Sequence, residues 1–148
     1  MADTREAESL LLDTHTWLWL MEGDERLSAE GIVERAEAAA AGGALLVSAI
    51  SLWEVAMLEA VGRLRLSIPV VRWLQEATGT PGLSVVPVGV ELAAESARLP
   101  GDFPGDACDR LIVATARLRS APLVTADPLL LRYGREGHLL VVEAAPPA

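Results

Sequence analysis

The chain has 148 residues and a mass of 15.7 kDa, and 51% of those residues are apolar. A chain of this size can bury about 68 to 70% of its unfolded surface in one core, which excludes a disordered protein and leaves little room for a second domain. A net charge of −9 argues against a broad basic nucleic-acid surface and leaves only a local arginine patch for phosphate contacts.

Residues 1–8 form a polar lead-in whose Asp3, Arg5, Glu6 and Glu8 do not resemble the basic start of a signal peptide. Asp13, Glu54 and Asp109 interrupt the apolar runs well short of the roughly 18 residues that a bilayer span needs. A cytoplasmic protein is expected. Leu10-Leu11-Leu12 is a short apolar run suited to a buried strand, and a helix is expected from Thr16 to Glu22. Gly23-Asp24 breaks it, and Ser28 is placed to cap a second helix that runs to Ala41 before Gly42-Gly43. Ala44 to Val47 reads as a strand. Ser48 or Ser51 can cap the next helix, which carries Trp53, Glu54, Val55, Met57, Leu58 and Val61 and ends at Gly62. Pro69 opens a helix to Ala77, Leu83 to Val86 is a strand, and Val90 to Leu99 is a helix closed by Pro100-Gly101. Asp106 to Arg119 reads as helix, Leu123 to Thr125 as strand, Asp127 to Arg132 as a short helix and Leu139 to Val142 as the last strand, before a Pro-rich tail. Short apolar strands alternating with helices predict a single α/β domain. It is a three-layer α/β/α sandwich around a mostly parallel sheet, with its core over about residues 9–142.

The residue inventory narrows the chemistry. Cys108 is the one cysteine, so neither a disulfide nor a thiolate zinc site is available, and His15 and His138 lack the spacing of an imidazole metal site. All 12 basic residues are arginine. Without lysine, a P-loop, a Schiff-base enzyme and an aspartyl-phosphate receiver are each disfavoured. Any metal must be carried by carboxylates.

Four acids stand out by position. Asp13 follows three leucines and ends the first strand, where open α/β sheets bind ligands; a helix cap or turn explains it equally well. Glu54 shares a helical stripe with Met57, Leu58 and Val61, whereas Glu59 pairs with Arg63 on another face. A core-facing carboxylate needs a partner or a metal, and pairing with an arginine at the rim is the competing reading. Asp109 repeats the pattern with Ile112, Val113 and Ala116, while Asp106 reads as the N-cap with Asp109 at N3. Asp127 closes the strand Leu123 to Thr125 and precedes Pro128, so capping alone could account for it. If the four acids converge they repel one another unless a cation intervenes, and oxygen-only ligation selects Mg²⁺ or Mn²⁺. Hydrolysis of phosphate esters is the natural chemistry of such a centre. Thr14 and Thr125 are placed to hydrogen-bond the metal-bound carboxylates, with capping and turn roles open for both. Arg110, Arg117, Arg132 and Arg135 are the cationic candidates near this edge. Trp17, Trp19, Trp53 and Trp73 read mainly as core, His15 as a partly buried structural residue, and Cys108 as a small hydrophobe.

The segments LLLDTHTWLW, SAISLWEVAML, DACDRLIVATARL and LVTADPLLLRYG resemble, in order and spacing, the four acidic blocks of PIN-domain ribonucleases, in particular the VapC toxins of type II toxin-antitoxin pairs. The resemblance spans about residues 9–142. It implies a PIN fold and a Mg²⁺- or Mn²⁺-dependent endoribonuclease with Asp13, Glu54, Asp109 and Asp127 as metal-binding and catalytic residues. Asp106 falls in the third block as a cap or supporting group. The resemblance also implies a homodimer, a cognate VapB-like antitoxin and a heterotetramer or larger complex with it. Ala107 stands where many relatives carry proline, which is expected to shift the helix start slightly. Two competing readings are a non-catalytic module whose acidic pocket docks a basic peptide and a phosphatase acting on small phosphoesters.

Overall fold

The computed structural model describes residues 8–27, 29 and 31–144. In chain order they form β1 (Leu10–Leu12), α1 (Thr14–Glu22), α2 (Ile32–Ala41), β2 (Leu45–Ser48), α3 (Ala49–Ala60) and α4 (Val70–Thr78). There follow β3 (Leu83–Val86), α5 (Val90–Ser96), α6 (Ala107–Arg119), β4 (Leu123–Thr125), α7 (Pro128–Arg135) and β5 (Val141–Glu143). The five strands make one sheet in the order β3-β2-β1-β4-β5, and every pairing is parallel. The chain winds outward from β1 through β2 to β3, then crosses back to place β4 on the other side of β1. The winding therefore reverses at β1, and the crevice beyond the carboxyl ends of β1 and β4 is where open parallel sheets accept ligands.

The continuous leucine run of β1 is the signature of a strand covered on both faces. Successive side chains of a strand point to opposite faces. Leu10 and Leu12 accordingly join Leu45, Val47 and Val124 under α1 to α4, where Trp17 meets Trp73 edge-on at 5.2 Å. Leu11 joins Leu46 and Leu123 on the opposite face under α5, α6 and α7, where Phe103 meets Tyr133 edge-on at 5.1 Å. The expected α/β/α layering is thus present. Each fully buried leucine of β1 contributes about 1.5–3 kcal/mol relative to exposure, so this strand is a rigid floor for the residue that follows it.

Several boundaries differ from expectation for local reasons. α1 starts at Thr14 rather than Thr16 because Asp13 is itself the N-cap. The second helix starts at Ile32 behind Gly31, and the expected cap Ser28 lies outside the described residues. α3 is capped by Ser48, whose hydroxyl accepts from the Ile50 N–H at 3.2 Å, and not by Ser51. α5 ends at Ser96, three residues before Leu99, while α7 continues to Arg135. The last strand pairs from Val141, with Leu139 buried ahead of it. Trp17 and Trp73 are core, but Trp53 is 55% exposed on α3. No helix among the described residues is long and apolar enough to cross a membrane.

Candidate active site

β1 delivers Asp13 into the crevice. Its backbone is extended, and its Oδ1 accepts from the Thr16 N–H at 2.8 Å, as an N-cap does. The Thr16 hydroxyl lies 2.8 Å from the same Oδ1 and 2.9 Å from the Val124 carbonyl, which joins the start of α1 to β4. The Thr125 hydroxyl donates to Asp13 Oδ2. Burial pushes the Asp13 carboxyl up, against the hydrogen bonds from Thr125 and Thr16 that favour its charged form.

β4 ends at Thr125, whose hydroxyl oxygen accepts from the Asp127 N–H at 3.0 Å. One threonine therefore spaces Asp127 from Asp13. Asp127 caps α7 through Oδ1, which accepts from the Leu129 N–H at 2.9 Å, and Pro128 occupies the first helical position, where no N–H is needed. Capping engages Oδ1 alone.

The third acid comes from α6. Asp106 Oδ1 accepts from the Asp109 N–H at 2.9 Å, and Asp109 Oδ2 lies 3.4 Å from the Asp106 N–H, so the expected capping box is formed. Asp109 is half-buried, with Ile112, Val113 and Ala116 of its stripe fully buried below it. Burial first, then the Asp106 charge, and after these Asp127 and Glu54, push the Asp109 carboxyl up to about 6. Gly105 stands against this carboxylate: a Cβ there would lie 2.6 Å from Asp109 Cβ and 2.8 Å from Oδ2. Cys108 is buried beside the acids, and burial pushes its thiol up to about 11, away from thiolate chemistry.

Glu54, on α3, is half-buried and has no hydrogen-bond partner among the described residues. The stripe that carries it is not the core face of the helix. Ser51 and Val55 are buried, Met57 and Leu58 are half-covered, and Val61 is 60% exposed. Glu54 faces the crevice because α3 starts at the end of β2, next to β1, and leans toward α6.

Asp13, Glu54, Asp109 and Asp127 all line one cavity of about 370 Å³, together with Thr14, His15, Trp19 and Asp106. Among the described residues no arginine pairs with any of these acids. The carboxylates surround the cavity without meeting at a point: among the described residues, no three His, Cys, Asp or Glu side chains stand ready to hold an ion. His15 is exposed on the rim, with its ring 6.4 Å from that of Trp19, and is not the partly buried residue expected.

The supporting residues divide. Thr125 touches Asp13, whereas the Thr14 hydroxyl donates to Ser51 at 2.8 Å and fixes α1 to α3. Thr16 does for Asp13 what Thr14 was expected to do, and the sequence signal for it is its place three residues after an N-cap acid. None of the four expected arginines lines the cavity. Arg110 donates to the Ser96 carbonyl at 3.3 Å and lies over Phe103, and Arg132 pairs with Glu136 at 3.5 Å. Arg117 is tied to Glu95 and to the His138 carbonyl two helical turns from Asp109. Arg135 is exposed in the last turn of α7.

The pattern that defines the PIN domain matches residues 10–136, and the chain belongs to the PIN domain family. Within that family it is 39% identical over 121 residues to ribonuclease VapC22 of Mycobacterium tuberculosis (strain ATCC 25618 / H37Rv), a match that covers 80% of this chain and 87% of that protein. Among solved structures, it shares its fold with VapBC2 from Rickettsia felis bound to a promoter DNA fragment, with a TM-score of 0.64 at 17% identity over 90% of this chain and 96% of that one. DNA-bound VapBC from Salmonella typhimurium gives a TM-score of 0.64 at 20% identity over 91% and 97% of the two chains. A toxin-antitoxin complex from Klebsiella pneumoniae gives 0.58 at 18% identity over 94% and 100%.

Proposed function

We propose that the protein is a metal-dependent endoribonuclease acting as the toxin of a toxin-antitoxin pair. The observation that carries this reading is the convergence of four carboxylates from four elements on one open cavity beside the winding reversal, unpaired by arginine among the described residues. Likeness to a ribonuclease at 39% identity supports the substrate class. The same likeness, with the toxin-antitoxin complexes that share the fold, supports a VapB-like antitoxin partner and a homodimer that assembles further with it.

The donor set fits Mg²⁺ or Mn²⁺. Burial lifts Asp109 first and the charges of Asp106, Asp127 and Glu54 add to it, and a hard divalent cation offsets both. Direct ligation by all four is not required, because Mg²⁺ keeps several waters and takes one or two carboxylates directly. When bound, the ion supplies an activated water and stabilises charge on the phosphodiester. The chain's own residues do the positioning. A carboxylate offers about four acceptor sites; the Thr16 N–H and the Thr125 hydroxyl take two of those on Asp13, the Thr16 hydroxyl lies 2.8 Å from Oδ1, and Asp13 still lines the cavity. The Asp106 capping box holds Asp109, and the α7 cap holds Asp127. Glu54, without a hydrogen-bond partner among the described residues, is the group placed to take a proton from an attacking water.

The test is cleavage of single-stranded RNA with Mg²⁺ or Mn²⁺, and with EDTA. Metal-dependent cleavage by the wild type, lost in Asp13→Asn and Glu54→Gln, is expected; no cleavage by purified wild type, with growth arrest unaltered by Asp13→Asn, overturns the reading. A second reading, a non-catalytic pocket that docks a basic peptide, draws on the absence of a ready-made three-ligand set among the described residues. It requires the protein's effect to persist in EDTA.

A further inference from the structure

A second hollow of about 390 Å³ opens beside the acid cavity, and the two share His15 and Trp19, so they form one furrow across the protein. Its character is the opposite of the first. Arg63, Leu64, Arg65 and Leu66 follow α3 as a non-helical segment in which side chains alternate. Leu64 and Leu66 pack against the core, and Arg63 and Arg65 are left exposed along the hollow. Across from them, Arg26 lies over the Trp19 ring at 5.2 Å.

The acids of this hollow are already engaged. Glu22 accepts from the Trp73 indole N–H at 2.7 Å, and Asp24 is paired with Arg26 at 2.7 Å. Among the described residues neither Arg63 nor Arg65 has a carboxylate partner: the Glu59–Arg63 pair that the spacing predicts does not form, because α3 ends at Ala60 and Arg63 lies beyond the helix. Two guanidiniums without a carboxylate partner and an apolar floor adjoin a cavity that repels anions until a cation fills it. Regularly spaced phosphates match the guanidiniums, and continuity with the cavity proposed to act on a phosphodiester favours a nucleic acid strand over an acidic peptide.

We propose that this furrow is the track of the single-stranded RNA substrate, with Arg63 and Arg65 on the phosphates of nucleotides flanking the scissile bond. The inference rests on the nuclease reading, but its test separates the two. The double variant Arg63→Gln/Arg65→Gln is compared with wild type for cleavage of a short oligouridine, and, with Glu54→Gln added to both to stop cleavage, for anisotropy-detected binding of the same oligonucleotide at constant Mg²⁺ across a salt series. KM is expected to rise roughly tenfold with kcat retained, and the slope of log K against log salt to fall by about 1.4, at about 0.7 per lost phosphate contact on a single strand. The control Arg72→Gln, on α4 and paired with Glu76, changes neither measurement.

If wild type cleaves but the double variant keeps its KM and salt slope, the RNA track is wrong and the nuclease reading stands. Failure of the Glu54→Gln protein to bind the oligonucleotide in Mg²⁺ overturns the track as well. Polyglutamate displacing the oligonucleotide as well as unlabelled RNA does would assign the hollow to an acidic peptide and overturn the proposal.

Discussion

Asp13 and Asp127, which leave the ends of two neighbouring strands, are held apart by a single hydroxyl: Thr125 donates to Asp13 Oδ2 and accepts from the Asp127 N–H at 3.0 Å. Thr125→Val keeps the side chain's shape, removes both bonds and leaves a buried carboxylate short of a donor. Cleavage and Mn²⁺ affinity are expected to fall about 10- to 100-fold, and stability in urea by about 1–3 kcal/mol. Thr125→Ser is expected to restore most of both. Unchanged Mn²⁺ affinity in Thr125→Val, measured by calorimetry, would contradict this.

Gly105 is the residue that gives the Asp109 carboxylate its room. In Gly105→Ala the new methyl must push against Asp109 Cβ at 2.6 Å, which belongs to the root of the side chain and cannot swing aside. We expect Mn²⁺ affinity and cleavage to drop about tenfold, a change of about 1.4 kcal/mol, and the melting temperature to fall as well, because the methyl also meets the Phe103 ring at 2.7 Å. Titration calorimetry and melting curves on the same sample check both halves.

The Asp109 carboxyl sits at about 6 in the folded protein against 3.8 ordinarily. Between these values the folded protein holds a proton that the unfolded chain has released, so metal-free stability is expected to fall as pH rises from 3.8 to about 6. Asp13, also raised, acts in the same direction. A divalent ion must displace this proton, so Mn²⁺ affinity rises over the same interval and its stabilising effect is larger at pH 7 than at pH 5. Equal Mn²⁺-induced melting shifts at the two pH values would refute the assignment.

Asp109→Asn separates stability from function. The amide retains an acceptor for the Asp106 N–H but removes one charge from a crowd that includes Asp106, Asp127 and Glu54. The metal-free variant is expected to melt above wild type at pH 7, since charges at a functional site cost stability. Its cleavage rate is expected to fall by more than the 10- to 100-fold typical of supporting groups. A lower melting temperature would mean that the acids do not repel as described.

The sheet and the acids were legible for one reason: local sequence dictates them. Three leucines running into Asp13 suit a buried strand that ends at a polar residue. The Asp106-x-x-Asp109 spacing writes its own capping box, and Pro128 marks Asp127 as the residue before a helix. Glu54 shows the limit of such reasoning. Its apolar neighbours suggested a core stripe, yet Val61 is 60% exposed, because which side of α3 faces inward is decided by where β2 and α6 lie. The arginines were illegible for the same reason. Arg110 and Arg117 flank the acids in sequence but turn toward Ser96 and Glu95, while Arg63 and Arg65 reach the furrow from a loop whose path only tertiary packing sets.

The hydroxyl that steadies Asp13 lies 112 positions farther along the chain. A nascent or truncated polypeptide that stops short of β4 thus possesses the first acid but lacks its clamp, its neighbour Asp127 and the strand that forms one wall of the crevice. The crevice therefore comes into being only when distant parts of the chain have closed on one another, β4 beside β1.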